Sequence, residues 1–576
     1  MSDRKILSAL LAAGVGLAAA AAVARAATPA SRIEADAVGF VVPNVYAKGI
    51  PLAFSGLDGA ENASTALVGI TREEPLTVQF QAPKEPVLRL YLPPHADEGL
   101  RYRAVTNDFL VATIPSDPIT VVLGFASSNV VVGRVPPGGR VSLQGGDMNC
   151  MIMRKDVGDR MQFAFAWDPR GGKLAAEAAA AALNTSIDTL VEQRLEFFKK
   201  AAAAPESASP LAARTLAKAF SAMKLSVVSP EGRFKSRWVM PARPLGAATL
   251  RESALESIGL TYLDGAVAKD AVMVFCLAQG TDGLVPGSMS VAAQADTTDV
   301  PVLAWAGLRA YQRTGQRDRD FLQRLYDAAS KHVKWYVNNR MVGENSALFS
   351  VKPPAEAGAA LSLPLSCYLA NECGYLQQMA QILGFREDAK TWGDRADSIA
   401  EAARKQFWNE EKGFFFGRDK VGGEPIPAWT AEGFFPLWSG IATKDQAAAL
   451  VKHLADPAKF GGPVPVPLVA RDAPLPKAEA ALWRMHPQIN YFVIAGLQRY
   501  GYAKEAEEVR QKTLAAVAKW YGRTGCLFES YDSADEVSPE QLESSRSGGA
   551  AEPAQLPRDV SSTAALFVDL LFRPKL

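Results

Sequence analysis

The chain has 576 residues, more than one ordinary core accommodates, so two domains or one large helical body with an accessory domain is expected. Hydrophobic residues make up 48% and charged residues 21%, which excludes a disordered or membranous chain. Lys and Arg total 62 against 61 acids, a net charge of +1, so nothing points to nucleic acid or an anionic membrane as a partner, and four histidines give no reason to expect a metal or other cofactor.

Arg4 and Lys5 open the chain, Ile6–Val23 is apolar and Ala-rich, and Ala24-Arg25-Ala26 supplies a small-x-small pattern. Residues 1–26 therefore read as a signal peptide and the mature chain as periplasmic or secreted, with an uncleaved anchor as the alternative. Cys150, Cys276, Cys367, Cys373 and Cys526 have no metal-ligand spacing and read as free, mostly buried thiols. Across 36–170, short runs such as Leu76–Gln81, Val87–Leu92, Ile119–Phe125, Arg140–Gln144 and Arg160–Trp167 are punctuated by Gly, Pro and Asn, which predicts an antiparallel β-sandwich. Residues 173–210 predict an Ala-rich helical linker and its exit loop.

From 211 to 576 about twelve helical segments follow one another. Asp318–Arg340, Glu387–Trp408 and Ala503–Tyr521 carry one apolar stripe each. Between them, Val300–Ala310, Pro364–Leu383, Trp429–Ser439 and Pro487–Tyr500 have few charges and read as enclosed on most sides. Alternating enclosed and amphipathic helices predict two concentric rings: a mainly α fold, an (α/α)6 toroid preceded by the β-sandwich. An open solenoid of hairpins is the rival arrangement.

A family resemblance rests on motifs in a fixed order. They are Pro301-Val-Leu-Ala-Trp305, His332-Val-Lys-Trp335, Phe407-Trp408 running to Gly413 and Phe416, Glu432-Gly433-Phe-Phe-Pro436-Leu437, Pro487-Gln-Ile-Asn490-Tyr491, Tyr500-Gly501-Tyr502, and Phe528-Glu529-Ser-Tyr531-Asp532. Together they resemble the family 63 glycoside hydrolases, the processing α-glucosidases and bacterial mannosylglycerate hydrolases with a six-hairpin barrel, over about residues 240–572. The resemblance implies an inverting glycosidase acting on an α-linked glucoside or mannoside, a carbohydrate ligand, and a front β domain packed on the barrel.

Inverting cleavage needs one carboxyl group to protonate the leaving oxygen and another to deprotonate a water, roughly 6.5–9.5 Å apart. Glu529 matches the family's general base, with Tyr531 beside it; a solvated glutamate in a turn is the alternative. The family's acid segment matches Glu356–Pro364, where Ala360 falls near the acid position, so Glu356 is a candidate acid or else an exposed loop charge. The family's sugar-binding Trp-Asp pair matches Arg251-Glu252, so Glu252 is a substrate-binding candidate or a helix-flanking charge. Trp483, Arg484 and His486 match a tryptophan-rich pocket segment in scrambled form, and Asn490 lies in the motif that follows. Asp299 reads first as an N-cap and second as a sugar ligand or catalytic acid. Glu372, inside an apolar helix, is either paired or aimed into the cavity. Three functions follow: an exported hydrolase, an altered barrel that binds sugar without cleaving it, and a polysaccharide lyase on a similar toroid.

Overall fold

In the computed structural model, residues 44–573 are described apart from 46–48, 73–75, 92–100, 115–116, 188, 191–192, 194–196, 198–202, 242–245, 357–359, 420–422, 425, 427, 474–481 and 543–555; the expected signal peptide lies outside them. Twelve strands precede the helices among the described residues: β1 (Asn44–Val45), β2 (Pro51–Leu52), β3 (Gly69–Thr71), β4 (Thr77–Phe80), β5 (Val87–Tyr91), β6 (Arg101–Thr106), β7 (Phe109–Ile114), β8 (Asp117–Ser127), β9 (Val130–Val135), β10 (Arg140–Gln144), β11 (Cys150–Val157) and β12 (Arg160–Trp167). They form an antiparallel sheet ordered β1-β6-β7-β8-β9-β12-β11 and a second ordered β10-β5-β4-β3-β2.

Alternation along β12 serves two apolar layers. Phe163 and Phe165 join the core between the sheets, where Phe165 meets Phe80 at 5.0 Å between ring centroids. Ala164 and Ala166 face the other way, onto Ala175, Ala179 and Ala182 of helix α1 (Gly172–Ala182). Alanine on alanine lets the helix lie close to the sheet, which accounts for the Ala-rich composition of this stretch.

The helices that follow are α2 (Pro210–Ser226), α3 (Leu250–Leu260), α4 (Gly265–Cys276), α5 (Leu303–Arg313), α6 (Arg319–Arg340), α7 (Leu363–Leu383), α8 (Arg386–Phe407), α9 (Phe435–Ser439, after a 3-10 turn at Ala431–Phe434), α10 (Lys444–Ala455), α11 (Pro487–Arg499), α12 (Ala503–Thr524) and α13 (Ser561–Phe572). Side-chain caps and turn residues fix several ends. Ser209, Asp264 and Ser362 cap α2, α4 and α7, while Gly384 and Gly440, at φ +89° and +78°, end α7 and α9 in the left-handed region where a side chain would be strained. The odd-numbered helices from α3 onward are the more deeply buried. Each packs on the next, α3 on α5, α5 on α7, α7 on α9, α9 on α11 and α11 on α13, and α13 packs on α3. The space between them is filled by aromatic rings. Trp438 stacks on Phe492 at 4.3 Å, and Trp305 and Tyr368 meet Trp438 edge-on at 5.8 and 5.1 Å.

Polar knots hold this interior together. Lys218 and Asp559, both fully buried, pair at 2.6 Å, and the same Asp559 oxygen accepts from the Asn107 amide of the front domain at 2.6 Å. Ser221, one turn on from Lys218 along α2, donates to Asn107 at 2.6 Å. At the other end of the helical body Asp569 of α13 is fully buried among Arg313, Arg573 at 3.2 Å and Arg309 at 3.9 Å, and accepts from the hydroxyls of Tyr262 at 3.0 Å and Tyr491 at 2.6 Å.

Glu256 of α3 is enclosed completely, beside the hydroxyls of Ser226 and Ser561, and burial pushes its carboxyl from 4.5 up to about 8. Its proton is thus bound more tightly in the folded chain than in the unfolded one. The stabilising contribution is full below about pH 4 and falls as pH rises from there to about 8. The midpoint of urea unfolding is expected to be lower at pH 8 than at pH 5, and Glu256→Gln, which keeps a neutral side chain of the same shape, is expected to flatten that slope. An unchanged slope in the variant refutes the assignment.

Candidate active site

A cleft of about 600 Å³ opens where the starts of α5, α7 and α9 come together. Its walls are Thr298–Val300 before α5, Tyr336 and Arg340 near the end of α6, residues 360–362 and the first turn of α7, and Thr430 and Glu432 before α9. The first residues of α7, Leu363–Leu365, border this space. Val351 and Ile426 stand exposed among its lining residues, an apolar contribution suited to the C–H face of a sugar ring.

Local hydrogen bonds hold the wall at Asp299. The Asp299 Oδ1 accepts from the Val300 N–H at 2.8 Å, the Tyr336 hydroxyl donates to the Asp299 carbonyl, and Thr298 bonds the His332 ring at 3.0 Å. Burial drives His332 down to about 3, so this histidine is neutral and serves as scaffold. Across from α5, Arg251 on the first turn of α3 reaches Asp299 Oδ2 at 3.6 Å. Burial works against the Arg251 charge, but the carboxylates of Asp299 and Glu252 and the Tyr368 hydroxyl outweigh it and keep the guanidinium firmly protonated. Tyr368, one and a half turns into α7, is the point at which the site's groups converge. Burial raises its hydroxyl pKa, Gln488 hydrogen-bonds it, and the charges of Arg251, Asp299 and Glu432 all reach it.

Glu432 sits in the 3-10 turn before α9, and the lining of the cleft includes it. Its side chain is exposed at the cleft, and desolvation by the surrounding walls raises its pKa above the ordinary carboxylate range. Gly433 behind it lies against the Phe414 ring so closely that an added Cβ would stand 2.3 Å from a ring carbon, which fixes the turn on the Phe414–Phe415 hairpin strand.

The candidates named from sequence fall into three groups. Asp299 lines the cleft, but it is not the N-cap of α5. That helix begins after Val302, and its free N–H groups at Ala304 and Trp305 are taken by Glu372 of α7, each at 2.8 Å. Glu372 is therefore paired inside the protein rather than aimed into the cavity, and burial raises it to about 7. Glu529 forms a second locus. It is half-buried between Phe528 and Tyr531, which are wholly buried, and the Tyr531 hydroxyl accepts from the Phe528 N–H at 3.1 Å. Antiparallel pairing of Arg484–Met485 with Tyr531–Asp532 sets the segments that carry Arg484, His486 and Glu529 side by side, and Trp483 next to them donates to the Ala470 carbonyl at 3.3 Å. Glu252 is buried in the first turn of α3, whose N-cap Thr249 takes its N–H.

The third group does not face the cleft. Tyr531 is fully buried and its hydroxyl is held by backbone, and Asn490 is fully buried and donates to Thr513 at 2.8 Å, tying α11 to α12. Glu356 stands exposed on a loop and does not line the cleft, whereas Ala360, Leu361 and Ser362 do, so among the described residues the wall where the family resemblance puts an acid offers no carboxyl group. Tyr368 was not named from sequence, and Glu432 only within a family motif, without a role in the site. A tyrosine in an apolar helix reads as core, and a glutamate before Gly-Phe-Phe-Pro reads as a helix entry.

Among the described residues no helix is long and apolar enough to cross a membrane, and no three His, Cys, Asp or Glu side chains cluster as a metal site. The five cysteines carry no disulfide; Cys367, Cys373 and Cys526 are buried and the other two half-buried.

The sequence model of the mannosylglycerate hydrolase MGH1-like glycoside hydrolase domain matches residues 248–365 and 355–538. A mannosylglycerate hydrolase of Rubrobacter radiotolerans is 30% identical over 141 residues, 24% of this chain and 31% of that protein. A cytosolic neutral trehalase of Neurospora crassa is 29% identical over 168 residues, 27% of this chain and 22% of that protein. The chain thus spans less than a third of the length of these curated relatives. Among solved structures, the family 63 mannosylglycerate hydrolase of Thermus thermophilus in complex with glucose superposes with a TM-score of 0.50 at 19% identity, covering 61% of this chain and 98% of that one, a likeness of fold.

Proposed function

The chain belongs to the mannosylglycerate hydrolase MGH1-like glycoside hydrolase family, and we propose that it is an exported enzyme that hydrolyses a small α-linked glucoside or mannoside with inversion at the anomeric carbon. The observation that carries this reading is that Asp299 and Glu432 line one cleft of about 600 Å³, with Arg251 3.6 Å from Asp299, a size suited to a disaccharide rather than a polymer chain. Carboxylates grip sugar hydroxyls through charge-assisted hydrogen bonds. The successive packing of α3, α5, α7, α9, α11 and α13, with α13 against α3, supports an (α/α)6 toroid whose outer helices are the even-numbered ones. The basic start and apolar, Ala-rich run at the N-terminus support export.

In this mechanism the sugar enters with its anomeric carbon toward Glu529, which takes a proton from water as that water attacks. The experiment is a turnover screen of the purified chain on mannosylglycerate, trehalose, and aryl α-glucosides and α-mannosides. Proton NMR follows the anomer first released, and the β anomer is expected. Absence of turnover on all of them overturns the hydrolase reading. Saturable sugar binding without turnover would then favour a sugar-binding protein, the reading that Ala360 in the acid segment supports.

A further inference from the structure

Glycoside cleavage needs a proton donor on the leaving-group side, and the segment where the family resemblance places it presents Ala360 and Leu361. The other acids near the site are occupied. Asp299 has one oxygen on the Val300 N–H at 2.8 Å and the other 3.6 Å from Arg251, so both of its oxygens face donors. Glu372 holds the start of α5, Glu256 lies between Ser226 and Ser561, and Glu356 is on an exposed loop outside the cleft. Glu432 remains. It lines the cleft together with Ala360 and Leu361, comes from the helix start next to α7, and is held in place by the tight seat of Gly433 on Phe414. We propose that Glu432 is the general acid of this enzyme, having taken over from the neighbouring wall the task that the Ala360 segment lacks; this rests on the hydrolase reading above.

The step balances without any further reactant. The Glu432 carboxyl O–H breaks as its proton passes to the glycosidic oxygen, and the bond from the anomeric carbon to that oxygen breaks with its electron pair leaving on the oxygen. A water oxygen bonds to the anomeric carbon from the opposite face and gives its proton to Glu529. The products are the free sugar and the alcohol, with Glu432 ionised and Glu529 protonated until solvent exchange restores both. The acid must carry its proton near the working pH, and partial desolvation by the cleft walls favours the protonated form.

The test exploits leaving-group chemistry, because a leaving group that departs as a stable anion needs no acid. Wild type, Glu432→Gln and the control Glu356→Gln are compared on a methyl or phenyl α-glycoside and on the matching 2,4-dinitrophenyl α-glycoside, with thermal unfolding as the check on folding. For Glu432→Gln, kcat/KM is expected to fall by roughly 10²–10⁴-fold on the poor leaving group and less than about tenfold on the dinitrophenyl substrate, and the alkaline limb of the pH profile is expected to vanish. Glu356→Gln is expected to match wild type on both. Equal losses of Glu432→Gln on the two substrates, or no loss on either, overturn the assignment while leaving the hydrolase reading standing. Failure of wild type to cleave either substrate overturns both.

Discussion

Replacing Glu529 with Gln is expected to lower kcat by roughly 10²–10⁴-fold while leaving the unfolding temperature close to that of wild type. Glu529 is framed by its neighbours along the chain. Phe528 and Tyr531 are fully buried on either side, the Tyr531 hydroxyl closes the turn on the Phe528 N–H at 3.1 Å, and Thr563 at the start of α13 donates to the Phe528 carbonyl at 2.9 Å. An amide of the same shape keeps that frame and loses only the capacity to accept a proton from water. The loss should appear with good and poor leaving groups alike, since water is activated in both cases, and this separates it from the pattern expected at Glu432. Activity of Glu529→Gln within a few-fold of wild type on every substrate would remove this residue from the mechanism.

The largest stability effect is expected at Asp569. Its carboxylate is fully buried; burial alone would raise its pKa, but Arg573, Arg313 and Arg309 together hold it well below the ordinary range. Asp569→Ala leaves three guanidinium groups facing one another with no counter-charge, and unfolding free energy is expected to drop by about 3–5 kcal/mol, read from the shift in urea midpoint at constant slope. Because the folded pKa is depressed, the contribution of Asp569 is present at neutral pH and fades as pH falls below the usual carboxylate range. Wild type should therefore lose part of its advantage over Asp569→Ala in acid. A variant as stable as wild type at pH 7 would show that the arginines are satisfied without it.

Helix positions were legible because each outer helix carries a long charged face. Arg386–Phe407 and Ala503–Thr524 fall within three residues of the segments expected at 387–408 and 503–521. The strands were harder. Arg140–Gln144 and Arg160–Trp167 sit where alternation put them, but Cys150–Val157 is an edge strand with half-buried or exposed side chains throughout, and its second half carries no apolar alternation. The buried lysines of α2 were invisible for a related reason: their partners Asp559, Asp58 and Asp108 lie far off in sequence. In the site, Asp299 and Arg251 could be named because they flank helix starts within motifs. That they touch each other follows only from how α3 and α5 pack, and the meeting of Glu432 with Tyr368 depends in the same way on α7 and α9.

Asp559 reaches further than its burial suggests. One of its oxygens receives Lys218 and the Asn107 amide, and the other accepts the Leu527 N–H at 3.2 Å, two residues before Glu529. The front sandwich is thereby stitched to the turn that carries the proposed base. A truncation that keeps only residues 211–576 would strip Asn107 from this knot and loosen the very loop whose aim matters most. The helical half is consequently not a portable cassette: chimeras that graft it behind a foreign β domain should work only when the graft brings its own amide to that spot.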